Sequence, residues 1–347
     1  MKHNRTLRRL TAAALALVAT VAAAPVASAD DALPEPTRAV AEVLPATGAG
    51  ASVQDVPPSL AASGTSVANN QQTWDFFRLM NVARTTNGLE PAIPNGRLNQ
   101  IATSWALAQS EASTTRTDDN LAGKLPAGWS NAYQGIYTTY EDSPTAAVEW
   151  VSQFWMDLDW IEPGVTDVGV GLVEKPLFGS LKEYTLYVIG AGYTHSTAQA
   201  GEMTLYRFSR PDTGTHFYST SAAERNSVIG NAAFRYEGQV AYVLQPSVNR
   251  AGTGALNRFY QPGSGMHFYT STPAEYNRVL GFPQYSLDGV AGKVYTSGGA
   301  GRVPMYRFFR PASGTHFYTA SAAEMEQVKT LPGYTFEGTA FFLRRAS

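Results

Sequence analysis

One twelve-residue pattern, Arg-Phe-x-x-Pro-x-x-Gly-x-His-Phe-Tyr, occurs three times in the C-terminal part of the 347-residue chain. The copies begin at Arg207, Arg258 and Arg307 and set His216, His267 and His316 in one register. A Glu follows each His by eight residues (Glu224, Glu275, Glu324), and an acid-Gly pair by twenty-one (Glu237-Gly238, Asp288-Gly289, Glu337-Gly338). A repeat of about fifty residues held through three copies means one supersecondary unit made three times, each burying an apolar face against the next. Residues 203–347 therefore have to fold as a threefold object, with units at about 203–250, 254–300 and 303–347. The pattern also uses three of the five histidines and leaves only His3 and His195 elsewhere.

Each unit reads as a hairpin. In the first copy 205–208 is a strand, Pro211-Asp212-Thr213-Gly214 a tight turn with Gly set for positive φ, and His216 opens the return strand. Ser221-Ala-Ala-Glu224 and Ser321-Ala-Ala-Glu324 have capping-box spacing, and Thr272-Pro273 puts Pro at a first helical position. Short helices are predicted at 222–228, 273–280 and 322–328. Two more strands, 234–238 and 241–244, complete the first unit. Four strands in each of three units predict an all-β domain of β-trefoil type, with another three-unit β arrangement as the alternative; three blades are too few for a propeller.

The repeated histidines have two readings. In one, each ring bonds to nearby backbone or to the acid of its own unit and pins the hairpin, because buried polar groups must be hydrogen-bonded. The Glu after the His is then a capping residue in the first and third copies (Glu224, Glu324), with Glu275 at the same place in the second, and Arg207, Arg258 and Arg307 pair with the acid before Gly. In the other, His216, Tyr218 and Glu237, then His267, Tyr269 and Asp288, then His316, Tyr318 and Glu337, form shallow polar-aromatic sites for a sugar. Three weak sites would give avidity for a polymeric glycan. The second copy departs most, with Asn257 in place of Tyr206 and Tyr306 and with Asp288 in place of Glu.

The N-terminus reads as a secretory signal, 1–29: Lys2, Arg5, Arg8 and Arg9, an apolar run, then Ala27-Ser28-Ala29. Its removal leaves 22 Lys and Arg against 28 Asp and Glu, a net charge near −6. That balance argues against a nucleic-acid partner. No other stretch is apolar and long enough to span a bilayer, so no membrane partner is expected after cleavage. The absence of cysteine excludes thiol chemistry, haem attachment and Cys-ligated zinc. No cofactor is expected. Residues 30–70, rich in Ala, Pro, Ser, Gly and Val, read as a disordered linker, and 196–202 as a second linker.

Residues 71–195 read as a mixed domain. Phe77, Met80, Val82 and Ala83 approach helical spacing, and Leu98, Ile101, Ala102, Trp105 and Ala108 keep it. A third helix starts after Ser143-Pro144, with Ala147, Val148, Val151, Phe154 and Trp155 inward. Strands follow at 168–173 and 184–193. The order predicts an α+β sandwich.

Asn81-Val82-Ala83-Arg84, Gly88-Leu89-x-Pro91, Leu98, Ala102, Trp105 and Ala106 resemble the opening helices of the CAP superfamily, which includes the cysteine-rich secretory proteins, antigen 5 and pathogenesis-related-1 proteins. The segment 150–163 and Asp167-Val168-Gly169-Val170-Gly171 are similar to that superfamily's later helix and strand. The resemblance implies an α-β-α sandwich with a cleft of two His and two acids able to hold a divalent metal. In this chain the corresponding positions carry Asp119, Gln134 and Met156, and no His lies between His3 and His195. Imidazole is the usual near-neutral base and zinc ligand, and a thioether suits neither role. A metal site and catalytic residues are therefore not expected here. Asp119, Glu141, Asp142 and Glu149 read as solvated acids, and His195 as an exposed or capping residue.

Residues 203–344 resemble an uncharacterised tandem-repeat family, with a Tyr-Arg-Phe…Gly-x-His-Phe-Tyr core, appended to secreted bacterial cell-wall hydrolases. The resemblance implies an accessory, wall- or glycan-associated role. The sequence thus predicts a secreted, non-enzymatic, two-domain bacterial protein whose repeats bind a cell-wall or host-surface polysaccharide. The competing expectations are a secreted hydrolase using carboxylates of the CAP cleft, and a lipid- or sterol-binding CAP protein.

Overall fold

The computed structural model describes residues 37–43, 71–152, 162–177 and 179–346. The signal segment and Phe154, Trp155, Met156 and Trp160 lie outside the described residues. The first part of the chain contains β1 (Thr37–Val43), α1 (Gln71–Thr86), β2 (Ile93–Pro94), α2 (Gly96–Glu111), α3 (Leu121–Lys124), β3 (Trp129–Glu141), α4 (Pro144–Ser152), β4 (Asp167–Pro176) and β5 (Lys182–Tyr193). Its five strands form one sheet in the order β1-β3-β5-β4-β2. One apolar cluster joins Phe76, Phe77 and Met80 of α1 and Val148 and Val151 of α4 to Tyr137, Val170, Leu186 and Val188 of the sheet. A second joins Leu98, Ala102 and Ala106 of α2 to Ile136, Tyr187 and Ile189.

Local chemistry sets these elements. The Asn95 side chain caps α2, accepting from the amides of Arg97 and Leu98 at 3.0 and 3.2 Å. Ser143 Oγ accepts from the Ala146 amide at 3.2 Å, and Pro144 begins α4 where no amide is needed. Gly169 and Gly171 let α2 lie directly on β4. A Cβ at either would come within 2.2 to 2.4 Å of the backbone at Leu98 or Ala102. Asn81 and Arg84, both buried, fasten the loop after α1. Asn81 bonds both ways to the Ala92 backbone, and Arg84 donates to the carbonyls of Glu90 and Val165. Burial lowers the Arg84 pKa to about 10, against the opposing pull of Glu90. The loop so fixed carries Glu90 and Ile93 towards the repeats.

The repeats run β6 (Glu202–Arg210), β7 (Thr215–Ser219), α5 (Ala222–Ile229), β8 (Arg235–Leu244); β9 (Thr253–Gln261), β10 (Met266–Thr270), α6 (Pro273–Leu280), β11 (Ser286–Tyr295); and β12 (Arg302–Arg310), β13 (Thr315–Thr319), α7 (Ala322–Lys329), β14 (Thr335–Arg345). Each unit is a three-stranded antiparallel sheet, ordered β7-β6-β8 in the first. Short pairings among β8, β11 and β14 (Lys293 with Leu244, Tyr295 with Phe342, Arg344 with Tyr242) join the three units into one nine-stranded sheet.

This architecture corrects the expected fold class. Among the described residues the protein is largely β and built on two sheets, five- and nine-stranded, rather than an α-β-α CAP sandwich followed by a β-trefoil. Two physical facts account for the difference. The pairs of strands expected at 234–238 and 241–244 are one continuous strand, β8. It absorbs two register shifts against β6, so each unit has three strands and a helix instead of four strands. Gly238, Gly289 and Gly338 adopt φ of 99°, 135° and 97° within these bulged stretches. In the first part, β3 was missed because both its faces are covered and it shows no alternation. The expected linker also contributes a strand: β1 lies antiparallel to β3 from Thr37↔Thr138 to Val43↔Ala132.

Candidate functional site

The repeats meet through their tyrosines. Strands β7, β10 and β13 each turn an edge inward that no fourth strand pairs among the described residues. The Tyr218 hydroxyl donates to the Tyr318 carbonyl at 2.8 Å. Tyr269 donates to Tyr218, and Tyr318 to Tyr269, both at 2.9 Å. The same hydroxyls of Tyr269 and Tyr318 accept from the amides of Tyr218 and Tyr269, each at 3.0 Å. The three rings stand edge to face, 5.5 to 6.5 Å apart. Phenols thus satisfy the backbone that a closed sheet would otherwise pair. All three tyrosines are buried in the apolar centre with Leu205, Leu256 and Met305, and burial raises the pKa of each. They are core residues, not ligand contacts.

A second ring of contacts runs the same way round. Arg207 pairs with Glu324 of the third repeat at 2.8 Å, Arg258 with Glu224 at 2.8 and 3.0 Å, and Arg307 with Glu275 at 2.9 and 3.0 Å. Each guanidinium also holds the acid of its own unit: Glu237 at 2.6 Å, Asp288 at 2.5 Å and Glu337 at 2.6 Å. The Glu expected to cap its helix therefore serves the next repeat. Ser221 and Ser321 still cap α5 and α7 through the amides of Glu224 and Glu324. Burial opposes the charges of Glu224, Glu237 and Glu275, but the paired arginines hold all three below the usual carboxylate range, Glu237 at about 2.

Each histidine lies against its unit's acid and the preceding unit's phenylalanine. The Nε2 distances to Glu237, Asp288 and Glu337 are 3.3, 3.4 and 3.6 Å. His216 packs on Phe317, His267 on Phe217 and His316 on Phe268, at 4.8 to 4.9 Å between ring centres. Burial, and then the neighbouring arginine, push His267 and His316 down to about 4, so both rings are neutral at pH 7.

The copies differ in what covers them. In the first repeat Arg207, His216 and Glu237 are all buried. Ile93 stands against Gly238, and Glu90 pairs with Arg225 of α5. Arg235 lies over the Trp74 ring and donates to Gln71 at 3.0 Å. In the second and third repeats the same triads are partly open, and Asp288 and Glu337 reach solvent. There a partly buried aromatic joins the histidine: Tyr260 with His267 and Phe309 with His316, both 5.1 Å between ring centres. The first repeat has Ser209 at that position. Tyr260 and Phe309 escaped the sequence reading because they occupy a variable place in the pattern. Comparing that place across the copies, Ser, Tyr, Phe, would have singled them out.

In the first sheet Asp119 is exposed, and its neighbour Asp118 turns inward instead. Buried Gln134 accepts from the Asp118 amide at 2.7 Å and from the Tyr187 hydroxyl, and donates to the Asp118 carbonyl at 3.1 Å. Lys124 pairs with Asp118 at 2.5 Å and lies over the Trp105 ring. Met156 lies outside the described residues. His195 is neither free nor a cap: its Nε2 is 2.6 Å from buried Asp167, which also accepts from Thr166 and Asn95. Among the described residues no group of three or more His, Asp or Glu is placed to hold a metal ion, and no helix is long and apolar enough to cross a membrane.

Residues 203–344 match the model of a family described as Domain of unknown function (DUF5648). No curated protein matches the chain.

Proposed function

We propose that this is an exported, non-enzymatic recognition protein that binds an uncharged cell-wall or surface glycan through its second and third repeats. The observation that carries the reading is the open triad beside an aromatic ring in those repeats, Tyr260/His267/Asp288 and Phe309/His316/Glu337, against the covered triad and Ser209 of the first. A partly buried ring that still reaches the surface offers a face on which a pyranose can stack, and the adjacent solvent-exposed carboxylate accepts from sugar hydroxyls. Charge favours a neutral ligand. Each site holds one guanidinium between two carboxylates, and its histidine is neutral at pH 7, so the local balance is negative and repels polyanions. Two sites on one rigid module suit a repeating polymer, which gains by avidity. The test is a polysaccharide-binding screen with the full chain, followed by Tyr260→Ala and Phe309→Ala. Each single substitution is expected to weaken binding about tenfold, and the pair to abolish the avidity gain. Absence of binding to every polysaccharide, or binding unchanged in the double variant, would refute the proposal.

A further inference from the structure

The base of the repeat module, where β8, β11 and β14 pair with one another, has a charge unlike the rest of the chain. Segments 196–204, 241–255, 291–304 and 339–346 contain Arg250, Lys293, Arg302, Arg344 and Arg345 against a single acid, Glu202. Arg344 engages that acid. Its Nε lies 2.8 Å from both Glu202 oxygens and its Nη2 2.6 Å from one, while the guanidinium stacks 4.0 Å from the Tyr242 ring centre. Burial opposes the Glu202 charge, but Arg344, the Gln199 amide and Arg250 hold its carboxyl below the usual range. The other cations have no carboxylate partner among the described residues. Two of them flank one ring: Arg302 lies over the face of Tyr295, 3.8 Å from its centre, and Arg250 donates to the Tyr295 hydroxyl at 2.7 Å. Lys293, two residues before Tyr295 on the same face of β11, donates at 2.7 Å to the Val248 carbonyl, in the loop that bears Arg250. Register adds a like-charge pair. Arg302 stands directly opposite Arg344, where the first two repeats set Glu202 opposite Leu244 and Thr253 opposite Tyr295. Like charges facing each other across strands are unfavourable, and a bound anion removes that penalty.

From this cluster we infer that the base of the repeat module is a binding site for the phosphate groups of an anionic polymer, with Arg250 and Arg302 as its principal donors. Arg250 uses one N–H on Tyr295, and Arg302 one on the Ser297 carbonyl at 3.0 Å, which leaves the other N–H groups of both forks for a ligand. One guanidinium lies over the ring face and the other at its hydroxyl tip, so they approach from two directions. A planar carboxylate fills one fork, whereas the tetrahedral oxygens of a phosphate can accept from both. Tyr295 is itself buried beneath the arginines, and among the described residues of the base no large apolar side chain is exposed. The base therefore offers neither a ring on which a nucleobase stacks nor an apolar wedge for a bilayer. A phosphodiester or polyphosphate chain without bases fits, its repeated charge matching cations spread from Lys293 to Arg344. The inference goes beyond the glycan reading and shares no residue with the Tyr260 and Phe309 sites, so either can fail alone.

The test uses the full chain and, as probe, fluorescently labelled inorganic polyphosphate at low salt, with polyglutamate and anionic phospholipid vesicles as competitors. Saturable binding that salt weakens steeply is expected. Arg250→Gln combined with Arg302→Gln should weaken it about tenfold or more. Arg250→Lys with Arg302→Lys should keep part of it, because charge remains without the fork. Neither arginine has an acid partner among the described residues, so the Gln variant should keep the wild-type melting temperature and its polysaccharide binding. Polyphosphate should raise the melting temperature of the wild type and not that of the Gln variant. Tyr260→Ala with Phe309→Ala should leave polyphosphate binding unchanged. No saturable binding, or equal binding to the Gln variant, overturns the inference. Competition by polyglutamate as strong as by unlabelled polyphosphate overturns the assignment to phosphate, and preferential capture by the vesicles overturns the polymer in favour of a lipid headgroup.

Discussion

The first and second repeats share a pattern, a hairpin and a set of ion pairs, yet one is an interior and the other a surface. Arg207, His216 and Glu237 are sealed beneath a loop of the first sheet, whereas Arg258, His267 and Asp288 stand partly in water. The difference teaches that the repeated residues are structural first. They close the threefold ring in every copy, covered or not. What varies between copies, Ser209 against Tyr260 and Phe309, or Ile229 against Leu280 and Lys329, decides what each copy meets.

The contrast can be broken or sharpened by substitution. Arg207→Ala strands the buried acids Glu237 and Glu324 and should cost about 3–5 kcal/mol. Arg258→Ala, at the half-open counterpart, should cost clearly less in the same urea titration. Equal losses would mean that burial does not separate the two copies. The next effect is one of pH. His267 and His316 have folded pKa values lowered to about 4 from 6.5. Above 6.5 both states are neutral, and below it the unfolded chain gains protons first. Stability should therefore fall as pH drops from about 6.5 to about 4, by on the order of 2–3 kcal/mol per ring. His267→Gln with His316→Gln should flatten the melting temperature over that window. The further loss from Glu224 and Glu275, held below 4.5, belongs to lower pH and should persist. Tyr269→Phe removes the hydroxyl that serves both the amide and the carbonyl of Tyr218, and should cost about 1–3 kcal/mol. The smallest effect is expected at Glu90, whose side chain is largely exposed although its partner Arg225 is buried. Glu90→Ala should cost up to about 1 kcal/mol in thermal unfolding.

Much of the repeat architecture was legible in the chain. The turns at Gly214, Gly265 and Gly314, the short helices and the Arg–acid pairs all follow from residues recurring at fixed spacing. The trefoil expectation failed because a bulge and a turn look alike in sequence. The expected strand 234–238 ends at Gly238, and the structure continues the strand through it. Tyr218, Tyr269 and Tyr318 belong to the sugar-site alternative of the sequence, beside the histidine and the acid of each unit. Only the inward edges of β7, β10 and β13 reveal that the phenols replace absent backbone partners. In the first sheet, the inward turn of Asp118 in place of Asp119 depends on the loop before α3, which has no periodicity to read. Least legible was the cover on the first repeat. Nothing in Ile229 or Tyr236 announces that Val82, more than a hundred residues earlier, will lie on them.

Hydrogen exchange followed by mass spectrometry on the full chain tests that asymmetry most directly, by comparing the equivalent strand segments 235–240, 286–291 and 335–340. Much slower exchange in 235–240 than in the other two is expected, because Ile93 and α1 cover only that edge. Equal rates in the three segments would contradict the division into one closed and two open copies.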